Sequence, residues 1–220
     1  MKKKIVLATL ALIALVTMSA CAANEADKLQ KQGVAAENAK ALVVYFSWSG
    51  NTKAAGQYIA KKTGADTFEV EREKPYPNKY EECVEEAHSE AGTRPAIKGQ
   101  LKNISDYDVI FIGSPVWSGT LPMPMFTFLE KYDFTGKKVI PFCTCYTSAG
   151  RSLDDIARCT PDSEHEEGIV LVTKYLGGKG MENNYAKIDS WLNGLGGAAA
   201  DKSLNPCVLS LEPAYRPIYL

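Results

Sequence analysis

The chain has 220 residues, 45% of them hydrophobic and 23% charged, with a formal net charge of −1. Those values describe an ordinary globular protein, one domain with appendages. With no basic stripe anywhere in the sequence, nucleic acid is excluded as the expected partner.

Lys2, Lys3 and Lys4 precede an apolar run, Ile5 to Met18, that is too short for a stable membrane span. Ser19-Ala20-Cys21-Ala22 follows, so residues 1–20 read as an export signal and are set apart from the fold. Met18-Ser19-Ala20-Cys21 is similar to a bacterial lipobox, in which the cysteine becomes the lipidated N-terminus. The alternative is cleavage after the small-x-small triplet Ala20-Cys21-Ala22, with no lipid. Several acyl chains on Cys21 would anchor the protein stably, whereas one chain binds membranes only marginally. Loss of residues 1–20 leaves 22 basic against 26 acidic residues, a net charge of −4, suited to a basic redox partner. Residues 21–40 are polar and Ala-rich and read as a lipidated N-terminus and tether.

The domain is expected over residues 41–196. Ala41 to Phe46 is a continuous run of strand formers, as suits a strand buried on both faces of a parallel sheet. Lys53 to Thr63 has helical spacing and stops at Gly64. Thr67 to Val70 is a short strand, Pro75 to Asn78 a loop and Tyr80 to Ala91 an acidic helix. Tyr107 to Gly113 is a second buried strand, followed by a helix from Pro124 to Tyr132. Lys138 to Cys143, Arg151 to Arg158, Ile169 to Val172 and Asn184 to Leu195 continue as strand, helix, strand and helix. Five strands alternating with helices imply right-handed crossovers and a three-layer α/β/α sandwich on a five-stranded parallel sheet. Residues 197–220, with three prolines and scattered apolar side chains, form a tail of no assigned role.

The six cysteines are Cys21, Cys83, Cys143, Cys145, Cys159 and Cys207. No C-x-x-C or His-rich spacing accompanies them, so most of them read as small core residues rather than metal ligands.

Between the first strand and the first helix lies Ser47-Trp48-Ser49-Gly50-Asn51-Thr52. Ligands of open α/β sheets bind beyond the carboxyl ends of the strands, and a helix N-terminus attracts anions. Three hydroxyls and a flexible glycine at that place can hold a phosphate dianion without an arginine. The spacing is neither that of a Walker loop nor that of a G-x-G-x-x-G turn. Without a ligand, the same stretch would be a Ser/Asn-rich helix cap.

This stretch resembles the phosphate loop of the flavodoxin family, a Thr/Ser-x-Thr/Ser-Gly-x-Thr run directly after the first strand. The resemblance covers roughly Ala41 to Leu195 and implies FMN, with its phosphate held by Ser47, Ser49, Gly50, Asn51 and Thr52 and with Trp48 also in the cofactor site. It implies two more flavin loops. In the first, Pro115-Val116-Trp117-Ser118-Gly119, Trp117 is placed to stack on the isoalloxazine, or else packs beneath the next helix. The second runs from Thr144 through Tyr146 and Ser148 to Gly150, with Tyr146 either covering the other flavin face or lying at the surface. Tyr76-Pro77-Asn78-Lys79-Tyr80 and Arg94-Pro95 look most like short bacterial members of that family. The resemblance implies an electron carrier, exchanging electrons with a partner protein or a small acceptor. The export signal and Cys21, a departure from the family's usual cytoplasmic setting, lead to the expectation that it is anchored at the cell envelope. Two other readings remain: an NAD(P)H-dependent quinone or azo reductase, and a non-redox nucleotide-binding protein.

Overall fold

The structure, a computed structural model, describes residues 39–174 and 179–195. The expected export signal, Cys21, nearly all of the tether, Cys207 and the tail lie outside the described residues.

The chain alternates strand and helix: β1 (Ala41–Tyr45), α1 (Asn51–Thr63), β2 (Asp66–Glu69), α2 (Tyr80–Ser89), β3 (Val109–Pro115), α3 (Met123–Lys131) and β4 (Lys138–Cys145). Then come α4 (Ser152–Cys159), β5 (Glu164–His165), β6 (Ile169–Val172) and α5 (Tyr185–Gly194). All strand pairings in this sheet are parallel, in the order β2-β1-β3-β4, with β5 and β6 both pairing on β4.

β1 shows why its sequence is continuously apolar. Leu42, Val44 and Phe46 enter a core with Met125, Phe128 and Ile156 on one side of the sheet. Val43 and Tyr45 enter a second core with Ile59, Ile188 and Leu192 on the other. Successive side chains on a strand point to opposite faces, so a strand covered twice must be apolar at every position. Helices α1 and α5 therefore cover one face, and α2, α3 and α4 the other, giving the expected α/β/α sandwich.

Two features differ from the expected elements. The last sheet position is filled in two pieces: β5 pairs with Lys138 and Val139, β6 with Phe142 to Cys145. The gap falls opposite Pro141, which has no N–H to offer the ladder. The strands also run further than expected at their carboxyl ends. Ser114 and Pro115 pair with Cys143 and Thr144, so each strand's partner extends the other.

Candidate functional site

Consecutive strands lie on opposite sides of β1, and the chain's winding reverses between β1 and β3. A crevice must open there at the carboxyl end of the sheet. The structure has a solvent-open cleft at that position. Its walls come from four connections: Trp48, Ser49 and Asn51 after β1; Pro115, Val116 and Trp117 at the end of β3; Thr144, Cys145 and Tyr146 at the end of β4; and Thr173 and Lys174 after β6.

Gly50 starts α1 in the left-handed region, with φ 89°, and offers no side-chain cap to the first helical turn. Its N–H instead donates to Ser47 Oγ at 3.1 Å, closing a tight turn that points the helix N-terminus at the cleft. A glycine reaches that conformation without the Cβ penalty that other residues meet. Asn51 and Thr52 are buried and tie the loop to the far strands. Asn51 Nδ2 donates to Thr173 Oγ1 at 3.1 Å, and the Thr52 and Thr144 hydroxyls share a hydrogen bond at 2.7 Å. Of the expected phosphate-binding residues, Ser49 and Asn51 line the cleft itself, as does Trp48 of the same loop. The Ser47 hydroxyl serves the loop, and the Thr52 hydroxyl, 1% exposed, faces Thr144 rather than the open space.

The aromatic residues divide by burial. Trp117 is 6% exposed and sits edge-to-face between Phe46 at 5.5 Å and Tyr76 at 5.0 Å, so it contributes a fixed piece of wall. Tyr146 is 54% exposed at the mouth. Trp48 donates its indole N–H to the Pro77 carbonyl at 2.9 Å, which holds the ring beside α2. Burial pushes the Cys145 thiol above its ordinary value, so it lines the cleft as an uncharged group.

The loop after β3 is a two-residue hairpin. Trp117 and Thr120 exchange both backbone hydrogen bonds, at 2.9 and 3.0 Å, around Ser118 (φ 52°) and Gly119 (φ 76°). Positive φ at both central residues marks a type I′ turn. Its tip is docked on the loop before α4, where the Arg151 N–H donates to the Gly119 carbonyl at 2.7 Å. Below it, the Thr120 hydroxyl donates to Asp155, a fully buried carboxylate that also accepts from Arg158. Ser118, Gly119, Ser148 and Gly150 thus frame the cleft without lining it.

Thr173, Lys174 and Cys145 line the cleft although sequence reasoning did not select them. The signal available was the carboxyl-end rule, applied to the last strand as well as to the first three. The four described cysteines other than Cys21 and Cys207 are free thiols, three of them buried, as expected for core residues.

Comparison with known proteins follows the same lines. The family model described as flavodoxin matches residues 40–188. A flavoprotein from Bacteroides eggerthii is 31% identical, with a TM-score of 0.59, over 72% of this chain and 98% of that one. A flavoprotein from Bacteroides uniformis is 26% identical, with a TM-score of 0.58, over 71% of this chain and 99% of that one. A Lactobacillus acidophilus flavoprotein solved in complex with FMN is 25% identical, with a TM-score of 0.51, over 60% and 92% respectively. A comparison with curated proteins gave no significant match.

Proposed function

The chain belongs to the flavodoxin family, and from that footing we propose that it is an FMN-binding electron carrier held at the cell envelope through Cys21. The observation that carries this reading is the composition of the cleft. Hydroxyl, amide and ammonium groups stand with the N-terminus of α1, indole and phenol rings complete the walls, and no carboxylate lines it. A ligand with a terminal phosphate and a planar aromatic system matches that donor set, and FMN has that form.

FMN, when bound, supplies reversible uptake of one or two electrons. The residues of this chain do the rest. Ser49 and the first turn of α1 would hold the phosphate, where the helix dipole favours negative charge. Trp48, Trp117 and Tyr146 would flank the ring system, excluding water with large apolar surfaces. Neutral Cys145 closes the wall without adding charge.

The carrier reading is favoured over a reductase by the two-residue turn at Ser118-Gly119. So short a connection builds no roof over the cleft, leaving bound cofactor reachable by a partner's own redox centre. The envelope location is supported by the Ile5–Met18 run and by Cys21 in its lipobox-like context.

The test is direct. Purified mature protein should be yellow, release FMN rather than riboflavin or FAD on denaturation, and be reduced only slowly by NADH or NADPH. A protein that takes up no FMN overturns the cofactor assignment, and rapid NAD(P)H turnover overturns the carrier assignment. Cys21→Ala should move the protein from the membrane fraction to the soluble fraction or block its processing. Unchanged membrane partition would remove the lipid anchor.

A further inference from the structure

We propose that Lys174 is the cation that pairs with the phosphate of the bound mononucleotide, an inference that rests on the FMN reading of the cleft. Flavin phosphate arrives as a dianion, and a helix N-terminus offers roughly half an elementary charge against it. Among the described residues lining the cleft, Lys174 carries the only formal charge.

Its place follows from two hydrogen bonds to its neighbour. Thr173 donates its backbone N–H to the Cys145 carbonyl at 2.8 Å, continuing the β4–β6 ladder into the cleft. The Thr173 hydroxyl accepts from Asn51 Nδ2 at 3.1 Å, and Asn51 is the first residue of α1. The backbone just before Lys174 is therefore wired to the helix N-terminus on which the phosphate would sit.

Three other lysines of the domain are held in ion pairs away from the cleft. Lys53 pairs with Glu69 at 2.6 Å, Lys62 with Asp189 at 2.9 Å and Lys138 with Glu166 at 2.8 Å. Among the described residues Lys174 makes no ion pair, and no carboxylate lines the cleft to compete for it. An ammonium so placed, next to hydroxyl and amide donors, discriminates between a phosphorylated flavin and its dephosphorylated parent. A charge-assisted contact of this kind is stronger than a neutral one.

The test compares FMN and riboflavin as titrants of the apoprotein, read by flavin fluorescence. Lys174→Gln should weaken FMN about tenfold, the effect of one hydrogen bond to a charged group, and leave riboflavin unchanged. Wild-type affinity for FMN should fall as salt rises, since a half-exposed ion pair is screened. Lys174→Gln should flatten that dependence, and Lys174→Arg should restore both affinity and slope. A wild-type preference for FMN that survives in Lys174→Gln removes this proposal alone. Equal weakening of FMN and riboflavin also removes it, because the lysine would then act on the ring or on the fold. No wild-type preference for FMN removes this proposal together with the cofactor reading beneath it.

Discussion

At the scale of single residues, the cleft depends on side chains brought together from distant parts of the chain. Gly150 shows how little space is left. It has φ 53°, and a Cβ built there would lie 2.3 Å from the Gly119 carbonyl oxygen and 2.6 Å from its Cα. Gly119 has φ 76° but open space around it. Both replacements by alanine meet the left-handed penalty of roughly 1–2 kcal/mol. Only Gly150→Ala adds a collision with backbone, which cannot swing aside. Urea unfolding should therefore place Gly119→Ala near 1 kcal/mol of destabilisation and Gly150→Ala at about 2–4 kcal/mol, within the range for buried strain. Equal losses would mean that the two loops are not docked as the structure has them. Thr52 makes a similar point. Its hydroxyl and that of Thr144 are buried partners, so Thr52→Val strands one of them at a cost of about 1–3 kcal/mol in stability, measured on the apoprotein. The run Ser47 to Thr52 was legible as the loop that joins β1 to α1 at the cleft because strand, turn residues and helix follow one another locally. Which of its hydroxyls face the cleft was not legible. That depends on Thr144 and Thr173, 92 and 122 residues away, and no local pattern encodes such pairings.

At the scale of elements, the α-helices could be read from side-chain spacing and stop residues, and the main strands from apolar runs, because burial of a strand on both faces leaves so plain a mark. The short 3-10 helices Ile104–Asp106 and Lys179–Asn184 were not legible. The errors have a common origin. Strand ends are decided by the partner strand, as at Ser114 and Pro115 against Cys143 and Thr144, and the split of the last strand answers to Pro141 on β4. The anchoring of α2 was also hidden. Arg72, its side chain 13% exposed, pairs with Glu86 of α2 at 2.5 Å and with Glu90 at 2.7 Å. Its guanidinium lies 4.6 Å from the centre of the Tyr76 ring, and the Tyr76 hydroxyl donates to Glu90. Since Tyr76 packs on Trp117, this brace reaches from α2 to the cleft wall. Arg72→Leu leaves Glu90 without its cation and Glu86 with Lys74 alone, at 3.3 Å, and should cost about 2–4 kcal/mol, toward the lower end of what broken buried pairs cost. It should also change the acid limb of stability. Hydrogen bonding to Arg72 holds the Glu86 carboxyl below its ordinary value. Stabilisation of that sign is fully present above the unfolded pKa, about 4.3, and disappears as pH falls through the lower folded value. Unfolding curves between about pH 5 and 3 should accordingly show a shallower loss in Arg72→Leu than in the wild type. Parallel curves would place the brace outside the stability of the fold.

At the scale of the whole molecule, the sheet order settles where a ligand can bind before any side chain is considered. An open sheet covered on both faces has a crevice where the winding reverses, and four separate connections meet there, from Trp48 to Lys174. That much was legible from the alternation of strands and helices. The closing of the cleft by Thr173 and Lys174 was not, because a single lysine after a strand is ordinarily just a solvated charge. The consequence is that ligand binding should couple to the stability of the entire domain. Its contacts draw on β1, β3, β4 and β6 together, and unfolding any of them would break the site. A ligand that binds only the folded state adds roughly 2.7 kcal/mol at a free concentration of one hundred times its Kd. In a domain of this size each kcal/mol raises the melting temperature by roughly 2–4 °C, so saturating FMN should raise it by roughly 5–11 °C. Riboflavin at the same concentration should give a smaller rise, because it lacks the phosphate proposed to sit at α1 and Ser49. Hydrogen exchange should slow in the described segments around Trp48–Thr52, Trp117–Thr120 and Thr144–Gly150 at once, rather than in the phosphate loop alone. Protection confined to that loop, or an equal rise with riboflavin, would mean that the ligand grips one helix end and leaves the rest of the cleft unused.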